Sequence, residues 1–305
     1  MKKEYPLVVE GDWKKIEAEL MKSRVGPKII DHYFLYAHKG KIKIFIYLVF
    51  LGFILNKSSL IQSSRQCILD MPSVASKAFR EPESCEFCEH TKEVDKVTNI
   101  SPNEFLEFYS KPFRPVVVAD GATNWSALQT FSFNFFKELH QKVQLDKSEV
   151  KNCQFFPYKT DFKYLSEVFN MSESRANLEP GEKPWYVGWS NCNENSGKVL
   201  QQYYSKPYFL GNNSEDIALS WIFMGGPGFG AQMHVDNVHY PSWQAQLKGK
   251  KLWRLAPPPE CYLSCHKMEV IVEPGEIIAV DTNKWYHQTI VLPGEISITI
   301  GAEFD

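Results

Sequence analysis

The 305-residue sequence has no excess of basic charge, no internal repeat and no low-complexity tract. A formal charge of −2 offers no positive field to a phosphate backbone, which argues against nucleic-acid binding. Cysteine is absent before Cys67, and only one C-x-x-C occurs, at Cys85-Glu-Phe-Cys88. Without a second such pair at zinc-ribbon spacing, a structural disulfide is the default reading, with a redox pair and half a zinc site as alternatives. The one glycine cluster, Gly225-Gly-Pro-Gly-Phe-Gly230, follows one strand-like run and leads into another. No helix start stands there to receive a phosphate, so a nucleotide-binding loop is excluded. What is present is apolar: 44% hydrophobic and 14% aromatic residues are ample for a packed core and rule out global disorder.

Charge is unevenly distributed. Residues 1–43 hold ten Lys/Arg against six Asp/Glu, a balance of +4, which leaves −6 for the remainder of a chain at −2. This basic leader meets the longest apolar run, Ile44 to Leu55, and with its flanks, Ile42 to Ile61, the stretch matches a bilayer core of roughly 30 Å. Lys39, Lys41 and Lys43 on its N-terminal side follow the positive-inside rule, and Lys57 can snorkel at the other end. The expectation is a single transmembrane anchor over 42–61, with residues 1–41 as a cytosolic tail; a buried core helix and a cleaved signal are the alternatives. All seven cysteines then lie on the luminal side, where disulfides are permitted. The Asn-x-Ser sequons at Asn99, Asn124, Asn170 and Asn212 agree with placement in the endoplasmic reticulum or Golgi.

Residues 11–24 have helical spacing and 62–97 read as a polar stalk carrying the C-x-x-C. A globular domain is expected over 98–305. Ser101-Pro102-Asn103-Glu104 has the cap, first-turn proline and capping-box Glu of a short helix, and helices are expected near 133–144 and 161–170. Between them, Arg114-Pro-Val-Val-Val-Ala119 reads as a buried strand. From Ile217 onwards, short β-branched and aromatic runs alternate with Pro/Gly turns, the texture of an all-β jelly roll flanked by N-terminal helices.

His234-Val-Asp236 is the central motif. Alternate residues of a strand face one way, so the imidazole and the carboxylate project side by side into a barrel. A third ligand from another strand would complete a facial triad with open positions on Fe(II), and His287 in Trp285-Tyr-His287-Gln288 is the candidate. A lone H-x-D is a common chance occurrence, and the distal histidine has a second reading as an ordinary core residue. The order of strand, H-x-D, Gly/Lys strand, Pro-Gly-Glu turn and His strand is what lifts the motif.

That order, over about 98–305, resembles the Jumonji C (cupin-like) family of oxygenases, including hydroxylases of the type that inhibits hypoxia-inducible factor. The resemblance rests on Arg114-Pro-Val-Val-Val, Ile222-Phe-Met-Gly-Gly, His234-Val-Asp236, Gln246-Leu-Lys-Gly-Lys-Lys-Leu-Trp253, Pro274-Gly-Glu and Trp285-Tyr-His287. It implies a double-stranded β-helix with Fe(II) on His234, Asp236 and His287, and 2-oxoglutarate as cosubstrate. Lys251 matches the lysine that pairs with the distal carboxylate, Thr299 a hydroxyl beside it, and Tyr186 a tyrosine bonded to the same carboxylate. An edge-strand charge remains the alternative for Lys251, and a core aromatic for Tyr186. Ala231 stands where many members have Thr, Gly301 where Asn is frequent, and Gln244 where another Asn is common.

The resemblance implies an oxygenase acting on a polypeptide, with hydroxylation of secretory or membrane proteins expected over N-methyl demethylation. Trp185, Trp189 and Trp243 are expected near the mouth of the barrel, and His239 is a possible substrate-side group whose alternative is a plain surface loop. The rivals are a membrane-tethered cupin-fold binding module with little or no activity and a zinc or manganese cupin. Protein made in its native host is expected to shift in gel mobility on glycosidase treatment. A soluble, unglycosylated, fully reduced product would overturn the luminal expectation.

Overall fold

The computed structural model describes residues 82–144, 153–211, 214 and 220–305, all within one compact unit spanning 73–305. The expected helix over 11–24, the apolar run 42–61 and Cys67 lie outside the described residues. Among the described residues no helix is long and apolar enough to cross a membrane.

Eleven strands are found among them: β1 Asp95–Val97, β2 Val116–Val118, β3 Phe155–Phe156, β4 Tyr186–Asn191, β5 Ser220–Gly225, β6 Ser242–Lys248, β7 Lys251–Ala256, β8 Met268–Val272, β9 Ile277–Val280, β10 Tyr286–Val291 and β11 Ser297–Glu303. Eight form one sheet in the order β1-β2-β9-β6-β11-β5-β4-β3, and three form a second, β10-β7-β8. Consecutive strands β5 to β11 thus shuttle between two sheets, the jelly roll that the turn spacing predicts. The segment 228–236 extends the small sheet. Its backbone pairs with β10 at Gly228–Val291, Phe229–Val291, Ala231–Thr289 and His234–His287. A Cβ at Gly230 would meet the Thr289 carbonyl oxygen at 2.0 Å, so only glycine lets the two backbones come this close.

Strand alternation divides the apolar residues into two cores. Val116, Val118, Ile277, Ala279, Trp243, Ala245, Leu247, Ile298 and Ile300 face away from the small sheet and pack with Phe131, Phe136, Phe169 and Leu200 of the flanking helical layer. Their strand neighbours Val117, Ile278 and Val280 turn the other way and meet Trp253, Leu255, Met268 and Trp285. Such a parity split is what a period of two requires when both faces of a sheet are covered.

The Ser101 capping box forms as expected, with Glu104 bonding back to the cap, and the helix over 133–144 is present as Phe133–Gln144. The helix expected over 161–170 is shorter, Leu165–Phe169, because residues 161–164 are taken up in a bend ahead of it. The H-x-D motif lies on extended chain with a single bridge to β10 and not in a continuous strand. The largest difference concerns the expected stalk. Its described part, 82–97, is joined to the domain by two disulfides, Cys85–Cys261 and Cys88–Cys265, and β1 pairs in parallel with β2. A third disulfide, Cys153–Cys192, ties the approach to β3 to the end of β4.

The two clip disulfides span 176 and 177 residues and lie side by side. In the chain-entropy picture the first cross-link restricts a long loop and contributes about 5 kcal/mol, whereas the second closes only a few further residues and adds roughly half as much. Replacing Cys88 and Cys265 by Ser is therefore expected to cost far less stability in urea unfolding than replacing all four. Equal costs would contradict this account.

Candidate active site

Three ionisable groups converge at one end of the space between the sheets. The ligand atoms of His234, Asp236 and His287 lie within 4.8 Å of one another. His234 Nε2 is 3.3 Å from Asp236 Oδ1, and His287 Nε2 is 3.8 Å from Asp236 Oδ2. A first-row metal with ligands at about 2.0–2.2 Å holds neighbouring donors roughly 3 Å apart, so this spacing needs only a small contraction. The tautomers are set as well. His234 Nδ1 donates to the Gln232 carbonyl at 2.6 Å and His287 Nδ1 to the Trp285 carbonyl at 3.2 Å. A carbonyl only accepts, so each proton sits on Nδ1 and each Nε2 offers its lone pair.

Electrostatics favour the same assignment. Burial pushes the His287 imidazole down to about 4, which keeps it neutral as a metal ligand must be. Burial alone would raise the Asp236 carboxyl, but the bond from His234 and the two imidazoles hold it below its ordinary value. For His234 burial pulls downward and Asp236 outweighs it, leaving the ring raised. A divalent cation would take the place of the proton that His234 shares with Asp236, leaving two neutral imidazoles and one ionised carboxylate as its ligands.

Next to the triad is a cavity of about 420 Å³ lined by Tyr158, Tyr186, Trp221, Phe223, Gln244, Trp253, Thr289 and other residues. Lys251 is completely buried on the same inward face of the barrel. Its Nζ donates to Thr299 Oγ1 at 2.5 Å and lies 5.3 Å from the Tyr186 ring and 5.5 Å from that of Phe223. Among the described residues no carboxylate pairs with it. Thr299 in turn donates to Gln246 Oε1 at 2.9 Å, and Gln246 Nε2 donates to Ser297 Oγ at 2.9 Å. A buried ammonium without a counter-charge is costly, so this arrangement suits an anionic ligand that supplies one.

All six site residues read from the sequence, His234, Asp236, His287, Lys251, Thr299 and Tyr186, thus fall in or beside one cavity. Tyr186 faces Thr289, whose hydroxyl bonds it, and burial raises its phenol. Three residues were not singled out: Gln246, Thr289 and Tyr158. Parity gives the first two, because Gln246 follows Gln244 and Thr289 follows His287 at intervals of two on the inward face. Tyr158 sits just past β3 with φ +46°, packed 5.2 Å from Tyr186, and nothing in its local sequence announces it. Trp185, Trp189 and Trp243 are packed in the core, and Trp243 also contributes to the cavity lining. They sit out of phase with the inward-facing Tyr186 and Gln244, and Trp185 is sealed off with its Nε1 donating to the Arg175 carbonyl. The aromatic at the rim is Trp221, bonded to Gln154 at 3.2 Å. His239 is exposed. A larger cavity of about 630 Å³ lies outside the big sheet by Cys153–Cys192, but it holds no comparable donor set.

No family model matches the chain. The arginine-specific demethylase JMJ20 of Arabidopsis thaliana is 32% identical over 251 residues, which cover 65% of this chain and 54% of that protein. The 2-oxoglutarate and iron-dependent oxygenase JMJD4 of Gallus gallus is 23% identical over 255 residues, covering 68% and 59%. The chain is similar to JmjC-type oxygenases that depend on iron and 2-oxoglutarate. Among solved structures, the ribosomal oxygenase YcfD from Escherichia coli matches with a TM-score of 0.46 and 19% identity, covering 68% of this chain and 51% of that one. The chain spans a little over half the length of these relatives.

Burial holds the Lys251 ammonium down to about 7, against 10.5 for a free lysine. Between those values the unfolded chain carries a proton that the folded one has released. The stability of the cosubstrate-free domain is thus expected to rise with pH from 7 towards 10, by up to ~1.4 kcal/mol per unit from this group. Lys251→Met should remove that increment from urea unfolding curves at pH 7 and 9; identical pH slopes in both proteins would refute it.

Proposed function

We propose that this chain is an Fe(II)- and 2-oxoglutarate-dependent oxygenase that hydroxylates side chains of secretory-pathway or membrane proteins. The observation carrying this reading is a facial His234/Asp236/His287 set on a cavity whose Tyr186 and Phe223 walls back onto the buried Lys251, which no carboxylate among the described residues pairs with. A plain metal cupin has no use for that lysine, nor has a binding module. When bound, iron with 2-oxoglutarate and dioxygen supplies oxidation of a C–H bond, with 2-oxoglutarate converted to succinate and carbon dioxide. The protein's own residues do the rest. Lys251 gives the distal carboxylate its counter-charge, and Thr299, locked by Gln246, fixes the ammonium. Tyr186 and Phe223 wall that pocket off from water.

Hydroxylation is favoured by the charge of the cavity wall. Among the described residues the lining carries amides, Gln154, Gln232, Asn237 and Gln244, and one carboxylate, Asp236. A methylated arginine or lysine keeps its positive charge, and here it would meet no free acid. The second reading, N-methyl demethylation, is favoured by the aromatic faces of Tyr158 and Trp221, which can hold a cation by its π contacts. Luminal placement through an anchor at 42–61 is supported by the three disulfides, which persist in oxidising compartments.

Purified protein is expected to form succinate only with both Fe(II) and 2-oxoglutarate present. Tryptic peptides of luminal proteins incubated with it should gain one oxygen atom. Formaldehyde released in step with succinate, without that gain, would reverse the choice towards demethylation, and no succinate under any condition would favour the non-catalytic module.

A further inference from the structure

The clip formed by residues 83–88 touches the turn that leads into the metal ligand His287. Beyond its two disulfides, Glu83 Oε2 pairs with Lys284 Nζ at 2.5 Å in a largely shielded position. The Phe87 ring meets the Trp285 indole edge-on at 5.2 Å, and the Lys284 ammonium lies over both Phe87 and Phe113. Trp285 is fully buried, and its Nε1 donates to the Phe113 carbonyl at 2.9 Å. Its position is therefore fixed from two directions.

That indole belongs to the residue whose carbonyl accepts the His287 Nδ1 proton. The same turn reaches the other ligand segment. Asp236 N donates to the Thr282 carbonyl at 2.9 Å, and Val238 N to Asn283 Oδ1 at 2.8 Å. A short turn, 281–285, thus sets the backbone of Asp236 on one side and the ring orientation of His287 on the other. Groups that orient ligating side chains govern metal affinity almost as directly as the ligands do.

We propose that the disulfide-held clip at residues 83–88 positions the metal ligands, acting through Lys284 and Trp285 on the ring of His287. Trp285 is then a positioning residue, and the clip at 83–88 belongs to the metal centre although its own residues supply no ligand. The inference rests on the metal-centre reading above. Opening the clip requires a dithiol reductant: each disulfide takes up two electrons and two protons, and each dithiol becomes a disulfide.

The test is a Co²⁺ titration of the metal-free protein, read by visible ligand-field absorption and by calorimetry, with folding followed by circular dichroism. Wild type is expected to bind one Co²⁺, and His287→Ala marks the loss of a true ligand. The Glu83→Gln/Phe87→Ala protein is expected to stay folded and bind Co²⁺ about 10–100-fold more weakly, with an altered spectrum. Wild type treated with a dithiol reductant should move the same way. Arg254→Gln, which breaks an exposed pair with Glu269, should leave affinity unchanged. If the double variant does not fold, Glu83→Gln alone carries the comparison, with a smaller loss. Unchanged affinity and spectrum in a folded clip variant would overturn the proposal while leaving the metal site standing. A wild type that binds no Co²⁺ would instead remove the metal-centre reading and this inference with it.

Discussion

Two backbone hydrogen bonds join the residues on which the site depends. His234 N donates to the His287 carbonyl at 3.0 Å, and His287 N returns the bond to His234 at 2.8 Å. This single bridge between an irregular segment and a regular strand places two imidazoles with ring centroids 4.2 Å apart. Asp236, two residues on, then arrives on the same side. Held so closely, the three groups would be an electrostatic burden unless one proton pattern satisfied them all. The backbone carbonyls of Gln232 and Trp285 impose that pattern by taking the Nδ1 protons. Geometry and protonation are therefore fixed by the same main chain, and the side chains need only stay ordered.

The interior between the sheets is divided along its length. One end is apolar, with Leu255, Met268, Ile278 and Trp285 packed together beside the clip cysteines. The other end holds the polar site. Trp253 stands at the boundary, stacked on His287 with ring centroids 5.8 Å apart and planes 22° from parallel. The dry end gives the turn before His287 something rigid to rest on, and it lowers the dielectric around His287 enough to keep that ring neutral. Replacing it with polar residues would weaken packing and metal binding together.

Much of this was legible in the sequence, and the rest was hidden for identifiable reasons. The strand texture after residue 217 and the spacing of His234, Asp236 and His287 suffice because both express a period of two. Lys251, Thr299 and Tyr186 came from family resemblance and not from pattern, since a lysine in a strand reads equally well as an edge charge. The union of residues 82–97 with the domain was not legible. It depends on pairing Cys85 and Cys88 with cysteines about 176 positions away, and spacing does not give disulfide connectivity. The tryptophans misled because aromatic character says nothing of which face of a strand a residue occupies. Reading parity from Tyr186 and Gln244 would have sent Trp185, Trp189 and Trp243 into the core.

The departures from the family pattern acquire a physical meaning once the neighbours are known. Ala231 lacks the hydroxyl common at that position, but its backbone N–H donates across the ladder to Thr289 Oγ1 at 3.0 Å. The pocket therefore keeps a hydroxyl, supplied by β10 instead. Gly301 and Gln244 are directly opposite each other in the pairing of β11 with β6. A Cβ at residue 301 would come within 2.5 Å of the Trp243 carbonyl oxygen and 2.8 Å of Gln244 Cγ. The two positions are therefore neighbours, and the backbone of β6 runs so close to residue 301 that glycine fits there without displacing it. An Asn at 301 would force Gln244 aside and would also press on the Trp243 carbonyl oxygen, which shortening residue 244 does not move. Two departures that stand far apart in the linear sequence thus meet at one place in the cavity wall, where Gln244 supplies an amide and Gly301 admits the close approach of β6.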